Sequence, residues 1–128
     1  MLSQEVWLFG NPDLPLDSLP IRLAPRLAKE LPQFSFKIQD PLDEWPTQER
    51  LIIIDTVMGL KEIKVFTALD DFGKTPLVTM HDFDLKTELE FRHKLGELPP
   101  FIIIGLPPAL AENEALSQLK TILYQYSK

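Results

Sequence analysis

Short apolar runs divide the chain into predicted strands. Residues 51–54 and 101–104 are continuous runs rich in isoleucine, and residues 5–10 hold a third run that ends in glycine. Uninterrupted apolar runs of this length are typical of strands that are covered on both faces, as in parallel sheets. Residues 77–80 form a shorter, mostly apolar segment, and we expect another strand there.

Two other segments alternate between apolar and polar positions. Residues 33–39 and 62–67 both follow a period of two, which indicates strands with one covered face. We expect the second of these to be an edge strand. Residues 70–76 contain Asp-Asp-Phe-Gly, and this composition predicts a turn.

Helical spacing appears in three places. The first helix is expected after Ser18, whose hydroxyl can accept a free backbone N–H at the helix start. The second is expected from an N-cap at Asp84 through Leu95, with Gly96 as its stop signal. The third is expected after Asn113, again as an N-cap. Each predicted helix carries one apolar face, formed respectively by Leu19, Leu23, Leu27 and Leu31, by Leu85, Leu89 and Leu95, and by Leu116, Leu119, Ile122 and Leu123.

Strands and helices therefore alternate along most of the chain. This order predicts an α/β fold of three layers, with a twisted, mostly parallel sheet of about five strands and helices on both faces. Two or three strands in the middle of the chain have no helix between them, so one antiparallel edge is expected. The length of 128 residues suits a single domain that spans residues 1–128.

Composition removes several classes of function. The formal net charge is −6, so the surface repels phosphate backbones and nucleic-acid binding is not expected. The chain has no cysteine, which rules out disulfides, thiolate nucleophiles and cysteine-ligated zinc. No apolar run approaches the ~20 residues of a membrane span, and the first residues lack the pattern of a signal peptide. We therefore expect a cytoplasmic protein that does not bind membranes.

Polar side chains with catalytic potential fall at the ends of predicted strands. Asp55 directly follows residues 51–54, His81 directly follows residues 77–80, and Asp17 lies in the loop after the first strand. Parallel strands present their carboxyl ends at one edge of a sheet, where open α/β folds bind ligands. We therefore expect Asp17, Asp55 and His81 to meet at that edge.

Two kinds of chemistry fit these three side chains. Two carboxylates and one imidazole can ligate a divalent ion such as nickel, zinc or iron. The same groups can perform general acid–base catalysis, because one carboxylate close to another has a raised pKa. Structural roles are open as well. Asp17 can favour the start of the first helix through the helix dipole, and His81 can form a hydrogen bond with Asp82 or Asp84 in a loop.

The order of four motifs resembles one known family. The chain opens with Gly-Asn-Pro at 10–12 followed by Asp17, and the second buried run ends in Asp55. It continues with Val-Thr-Met-His-Asp-Phe-Asp-Leu at 78–85 and closes with Phe-Ile-Ile-Ile-Gly-Leu-Pro-Pro at 101–108. In this order, and over almost the whole chain, the motifs resemble the endopeptidases that mature nickel–iron hydrogenases, as a divergent member of that family.

This resemblance implies a function and a site. Enzymes of the family remove a C-terminal extension from the hydrogenase large-subunit precursor after nickel has been inserted. The motif match implies that Asp17, Asp55 and His81 contact that nickel. It also implies that Asp17 and Asp55 are catalytic, and that Asp40 contributes to substrate binding. The enzyme would be an aspartyl-type endopeptidase that acts as a monomer and requires no permanently bound cofactor. Its partner would be the large-subunit precursor.

The first loop departs from the family pattern, which is usually Gly-Asn-x-x-x-Gly-Asp-Asp/Glu-Gly. Pro15, Leu16 and Ser18 stand where Gly, Asp and Gly are usual. Three hypotheses therefore stay open: a maturation endopeptidase, a non-catalytic module that binds a metallated large subunit, and an unrelated α/β domain. A structure that places Asp17, Asp55 and His81 far apart would favour the last of these.

Overall fold

The computed structural model describes residues 4–11, 13–40, 45, 49–73 and 80–126. Of residues 73 and 80–83 it describes the backbone alone. Among the described residues, no helix is both long enough and apolar enough to cross a membrane.

A five-stranded sheet forms the centre of the fold. Its strands are β1 (Gln4–Leu8), β2 (Phe34–Ile38), β3 (Leu51–Thr56), β4 (Lys64–Phe66) and β5 (Phe101–Leu106). They lie in the order β2-β1-β3-β5-β4. All neighbouring pairs are parallel except β4–β5, which is antiparallel. The predicted mostly parallel sheet with one antiparallel edge is therefore confirmed.

Helices cover both faces of this sheet. They are α1 (Leu19–Glu30), α2 (Leu69–Gly73), α3 (Met80–Lys94) and α4 (Glu112–Tyr124). The leucines of α1 and α4 pack with Leu8, Ile52 and Ile54 in one core cluster. Leu85 and Leu89 of α3 pack with Ile53 in a second cluster on the other face. The side chains of a strand alternate between its two faces, so each central strand contributes to both clusters.

The two central strands run further than their apolar runs suggest. Asp55 and Thr56 pair with Gly105 and Leu106, so β3 and β5 both extend two residues beyond the isoleucines. The apolar runs had predicted strands that end at residues 54 and 104. The backbone groups of the next residues continue the ladder all the same, because a neighbouring strand is available at each position.

Elements around residue 80 differ from the prediction. Residues 77–79 lie outside the described residues, and Met80 is helical rather than the end of a strand. α3 therefore begins before Asp84, which lies inside the helix and does not cap it. The predicted turn at 70–76 is also wrong in part, since Leu69–Gly73 form the short helix α2. Two aspartates in its first turn favour this helix through the dipole.

Gly96 ends α3 as predicted. Its φ of 72° lies in the left-handed region, which glycine adopts without steric cost. Its N–H donates to His93 O at 3.1 Å, and the N–H of Glu97 donates to Arg92 O at 2.9 Å. These two bonds form a Schellman motif, which satisfies carbonyl groups that the last turn leaves without helical partners.

The two other predicted caps are wrong in their chemistry. α1 does begin after Ser18, but the serine hydroxyl donates to Pro15 O at 3.1 Å instead of accepting a helical N–H. Ala111 is the N-cap of α4, so Asn113 lies within the helix. Its Oδ1 atom accepts a hydrogen bond of 2.7 Å from Arg26. A contact between two helices has therefore replaced the local cap.

Candidate active site at the carboxyl edge of the sheet

The loop after β1 joins the end of that strand to the start of α1. Phe9 still follows the sheet, because its N–H donates to Ile54 O at 3.0 Å. Two residues later, the N–H of Asn11 donates to Asp17 O at 2.8 Å, which folds the loop back on itself. Asp17 and Asp55 are therefore held at the same carboxyl edge, one by this loop and one by β3.

Gly10 makes this fold-back possible. A Cβ atom on Gly10 would lie 2.7 Å from Asp17 O and 3.3 Å from Ile21 Cγ1. Real Cβ atoms essentially never approach another atom at the first of these distances. Only glycine thus allows the short 3₁₀ turn Pro15–Asp17 to sit directly against the end of β1.

Both carboxylates are buried. Asp17 is 4% exposed and Asp55 is 1% exposed. Asp55 lies at the same phase of β3 as Ile53, so its side chain belongs to the face that α3 covers. A buried ionisable residue requires polar partners or a functional role, and two such residues at one edge mark it as a candidate site.

His81 lies in the first turn of α3, one and two turns before Leu85 and Leu89. This helix leads into β5 and therefore runs antiparallel to it. Fifteen residues of helix span about 22 Å and six residues of strand about 20 Å, so the first turn of α3 lies level with the carboxyl edge. The structure describes only the backbone of His81, so the contact of its imidazole with the two carboxylates stays a prediction.

Asp40 lies at the same edge. It follows β2, and the preceding residue, Gln39, donates its N–H to Leu8 O at 3.0 Å. The Asp40 side chain is half-buried. Of the four residues predicted for the site, three aspartates are thus gathered at the carboxyl edge, on or beside three adjacent strands.

A metal centre does not emerge from the described side chains alone. No group of three histidine, cysteine, aspartate or glutamate side chains among them is placed to hold an ion. The predicted set needs His81 as its third member, and the structure does not describe that side chain. The nickel contacts of Asp17, Asp55 and His81 accordingly remain a prediction.

Solved structures share this architecture. No protein-family model and no curated protein matches the chain by sequence. The hydrogenase maturating endopeptidase HybD from E. coli superposes with a TM-score of 0.70, covering 96% of this chain and 93% of its own at 16% identity. An endopeptidase from Escherichia coli gives 0.67 over 96% and 94% at 15% identity. An uncharacterized protein from Wolinella succinogenes gives 0.62 over 98% and 99% at 15% identity.

The chain has the hydrogenase maturation endopeptidase fold. The resemblance that the order of motifs indicated is thereby confirmed at the level of architecture, over nearly the whole length of the chain. At 15–16% identity this similarity shows the fold and does not show an activity.

Thr56 is one residue of the edge that the sequence pattern had not singled out. It is 4% exposed, and its Oγ1 atom has no hydrogen-bond partner among the described residues. It points to the face opposite Asp55, because the two residues are adjacent on β3. The signal for its burial was present in the sequence, since a β-branched threonine and Val57 continue the run of isoleucines past the aspartate.

Proposed function

We propose that this chain is an endopeptidase that removes the C-terminal extension of a nickel–iron hydrogenase large-subunit precursor after nickel insertion. The observation that carries the proposal is the burial of Asp17 and Asp55 at the carboxyl edge of a hydrogenase maturation endopeptidase fold. Ligand sites of open α/β sheets occupy this edge. Two buried carboxylates at that place therefore support a functional site.

In this proposal Asp17, Asp55 and His81 recognise the nickel that the precursor already holds. Recognition of the substrate's own metal would couple cleavage to completed insertion, since a nickel-free precursor would lack the matching ligand contacts. Carboxylate and imidazole groups suit a divalent transition ion. The enzyme then needs no permanently bound cofactor of its own.

The chemical step is hydrolysis of one peptide bond. A carboxylate of the pair Asp17 and Asp55 accepts a proton from water as the water oxygen attacks the scissile carbonyl carbon. The same proton then moves to the leaving amine as the carbon–nitrogen bond breaks, so the carboxylate is regenerated. Asp40 contacts the substrate beside this centre. The reaction would take place in the cytoplasm, on a monomeric enzyme.

Intact-mass spectrometry tests this proposal directly. The chain is incubated with the nickel-loaded large-subunit precursor from the same source, and with the nickel-free precursor in parallel. Loss of a C-terminal peptide from the nickel-loaded form alone is the expected result. Unchanged mass, with a precursor that another protease of the family does cut, would rule out the peptidase.

Asp55→Asn is the first variant to compare. Loss of a general acid–base group lowers rates by about 10²- to 10⁴-fold, and we expect processing to fall at least that far. Asp71→Asn is the matched control, because it makes the same change at an exposed aspartate of α2. Retained processing in Asp55→Asn would remove Asp55 from the catalytic site.

A non-catalytic binding module is the second candidate function. The changed first loop favours it, since Pro15, Leu16 and Ser18 replace residues usual in the family. Native mass spectrometry separates the two functions. A stable complex with the nickel-loaded precursor and no loss of mass would favour the binding module.

A further inference from the structure

Large apolar side chains are exposed at two opposite ends of the molecule. Leu14, Leu16 and Ile38 lie at the carboxyl edge, in the loop after β1 and at the end of β2, and they are 45%, 57% and 52% exposed. Phe91, Leu95 and Tyr124 lie near the C-terminal ends of α3 and α4. Only the first group is next to the candidate active site, since Leu16 directly precedes Asp17.

The outer side of β2 can accept another strand. Gln39 directs its N–H towards Leu8 O. In a strand the N–H and C=O of one residue point to the same side, and this side alternates from each residue to the next. Phe36 and Ile38 therefore direct both N–H and C=O away from β1. Among the described residues no strand pairs with this side, because β2 is the first strand in the sheet order.

We propose that the segment of the precursor next to the scissile bond binds as an added strand along the outer side of β2. This inference rests on the proposed function and assigns a binding mode to its substrate. Backbone pairing with Phe36 and Ile38 would hold the segment extended, as in other cases of strand addition. The segment would then cross Leu14 and Leu16 to reach Asp17 and Asp55.

The dimensions suit this path. The added strand would lie three strand spacings from β3, or about 14 Å, which about four extended residues can bridge. The scissile bond would therefore lie about four residues beyond the paired part of the substrate. Leu14 and Leu16 lie along this span, where they could receive apolar side chains of the passing segment.

Charge limits what this segment contains. Asp13 is exposed beside Leu14, Asp40 is half-buried after β2, and the whole chain carries a formal charge of −6. An acidic surface attracts cationic groups and repels anionic ones. The bound segment should therefore combine apolar residues with lysine or arginine, and its binding should weaken as salt concentration rises.

Replacement of a backbone donor tests the added strand. Ile38→Pro removes the outward N–H and leaves the bonds to β1 in place, whereas Ile38→Ala changes the side chain alone. Proline is accepted on edge strands where its nitrogen faces solvent. We expect KM for the nickel-loaded precursor to be about tenfold higher for Ile38→Pro than for Ile38→Ala, with kcat similar.

A second pair of variants tests the path over the loop. Leu16→Ser should raise KM several-fold, whereas Leu95→Ser should leave it unchanged. The two leucines have similar exposure but lie at opposite ends of the molecule. Equal KM for both serine variants would contradict the proposed path.

The outcomes separate this inference from the function beneath it. If the wild-type chain cuts the precursor while Ile38→Pro and Ile38→Ala share one KM, strand addition is overturned and the peptidase stands. If the wild-type chain does not cut, both fall together. If Ile38→Pro does not fold, amide hydrogen exchange of residues 34–39 in the wild-type chain tests strand addition instead. Exchange is measured with and without a precursor that a proline directly after the cleavage point makes uncleavable. Slower exchange in the complex supports strand addition, and unchanged exchange overturns it.

Discussion

Gly10→Ala should damage stability and activity together. The new Cβ would lie 2.7 Å from Asp17 O, which is a backbone atom and cannot turn aside as a side chain can. The Pro15–Asp17 turn would have to move, and the hydrogen bond from the N–H of Asn11 to Asp17 O would be weakened. Overpacking costs about 1–3 kcal/mol and a lost hydrogen bond about 1 kcal/mol, so we expect a loss of about 2–4 kcal/mol in unfolding free energy.

Activity should fall for the same reason. The displaced turn carries Asp17, and a misplacement of about 1 Å in an active site can cost about 100-fold in rate. A shift of a few tenths of an ångström would be expected to lower processing of the nickel-loaded precursor on the order of tenfold. Urea unfolding followed by circular dichroism measures the first effect, and intact-mass kinetics at low denaturant measures the second.

Gly96→Ala provides the matched control. Gly96 has a φ of 72° and no atom within 4 Å of an added Cβ, so its substitution imposes only the backbone strain. That strain costs roughly 1–2 kcal/mol and lies far from the carboxyl edge. If Gly10→Ala were no less stable than Gly96→Ala and processed the precursor at the wild-type rate, the close approach of Asp17 to β1 would not be what positions the site.

Two further substitutions test other parts of the structure. Thr56→Val removes a buried hydroxyl that has no hydrogen-bond partner among the described residues. We therefore expect the unfolding free energy, measured by urea titration, to rise by about 1 kcal/mol. A fall of that size would show that the hydroxyl forms a hydrogen bond. Lys120→Met should raise the pKa of Glu30 in an NMR titration, because the hydrogen bond from Lys120, 2.8 Å long, is the main cause that lowers it. Since the folded-state pKa is the lower one, the pair stabilises the protein above the ordinary glutamate pKa of 4.5, and this contribution disappears as pH falls through the folded value. An unchanged Glu30 pKa would contradict the contact.

The sheet could be predicted from the sequence because its central strands are covered on both faces. Apolar side chains dominate such positions, so residues 51–54 and 101–104 indicate buried strands. The ends of the elements were less predictable. Asn113 has the chemistry of a cap, but Arg26 from another helix competes for its amide, and no local pattern reveals that competitor. The end of β3 was misplaced for a similar reason. Asp55 continues the strand by pairing with Gly105, and this long-range contact leaves no local pattern in the sequence.

The candidate site was predictable to the extent that topology determines it. Parallel strands place their carboxyl ends together, so Asp17, Asp55 and His81 could be assigned to one edge from the sequence, whereas Asp40 was named only through the family resemblance. The burial of the two catalytic candidates was not predictable in the same way. Asp17 is enclosed because the loop folds back onto Gly10, and that approach depends on the absence of a single carbon atom.

The two edges of the sheet differ in how they meet other chains. β4 has three residues, begins with an exposed lysine and runs antiparallel to its neighbour, and short charged strands of this kind discourage further pairing. β2 is longer and carries Ile38 at its exposed end. Polymers grow when two different edges of one molecule can pair with each other, whereas pairing between identical edges closes into a dimer. Because β4 does not favour pairing, any self-pairing through β2 would end at a dimer. The molecule can therefore expose β2 for pairing with another chain without forming fibres.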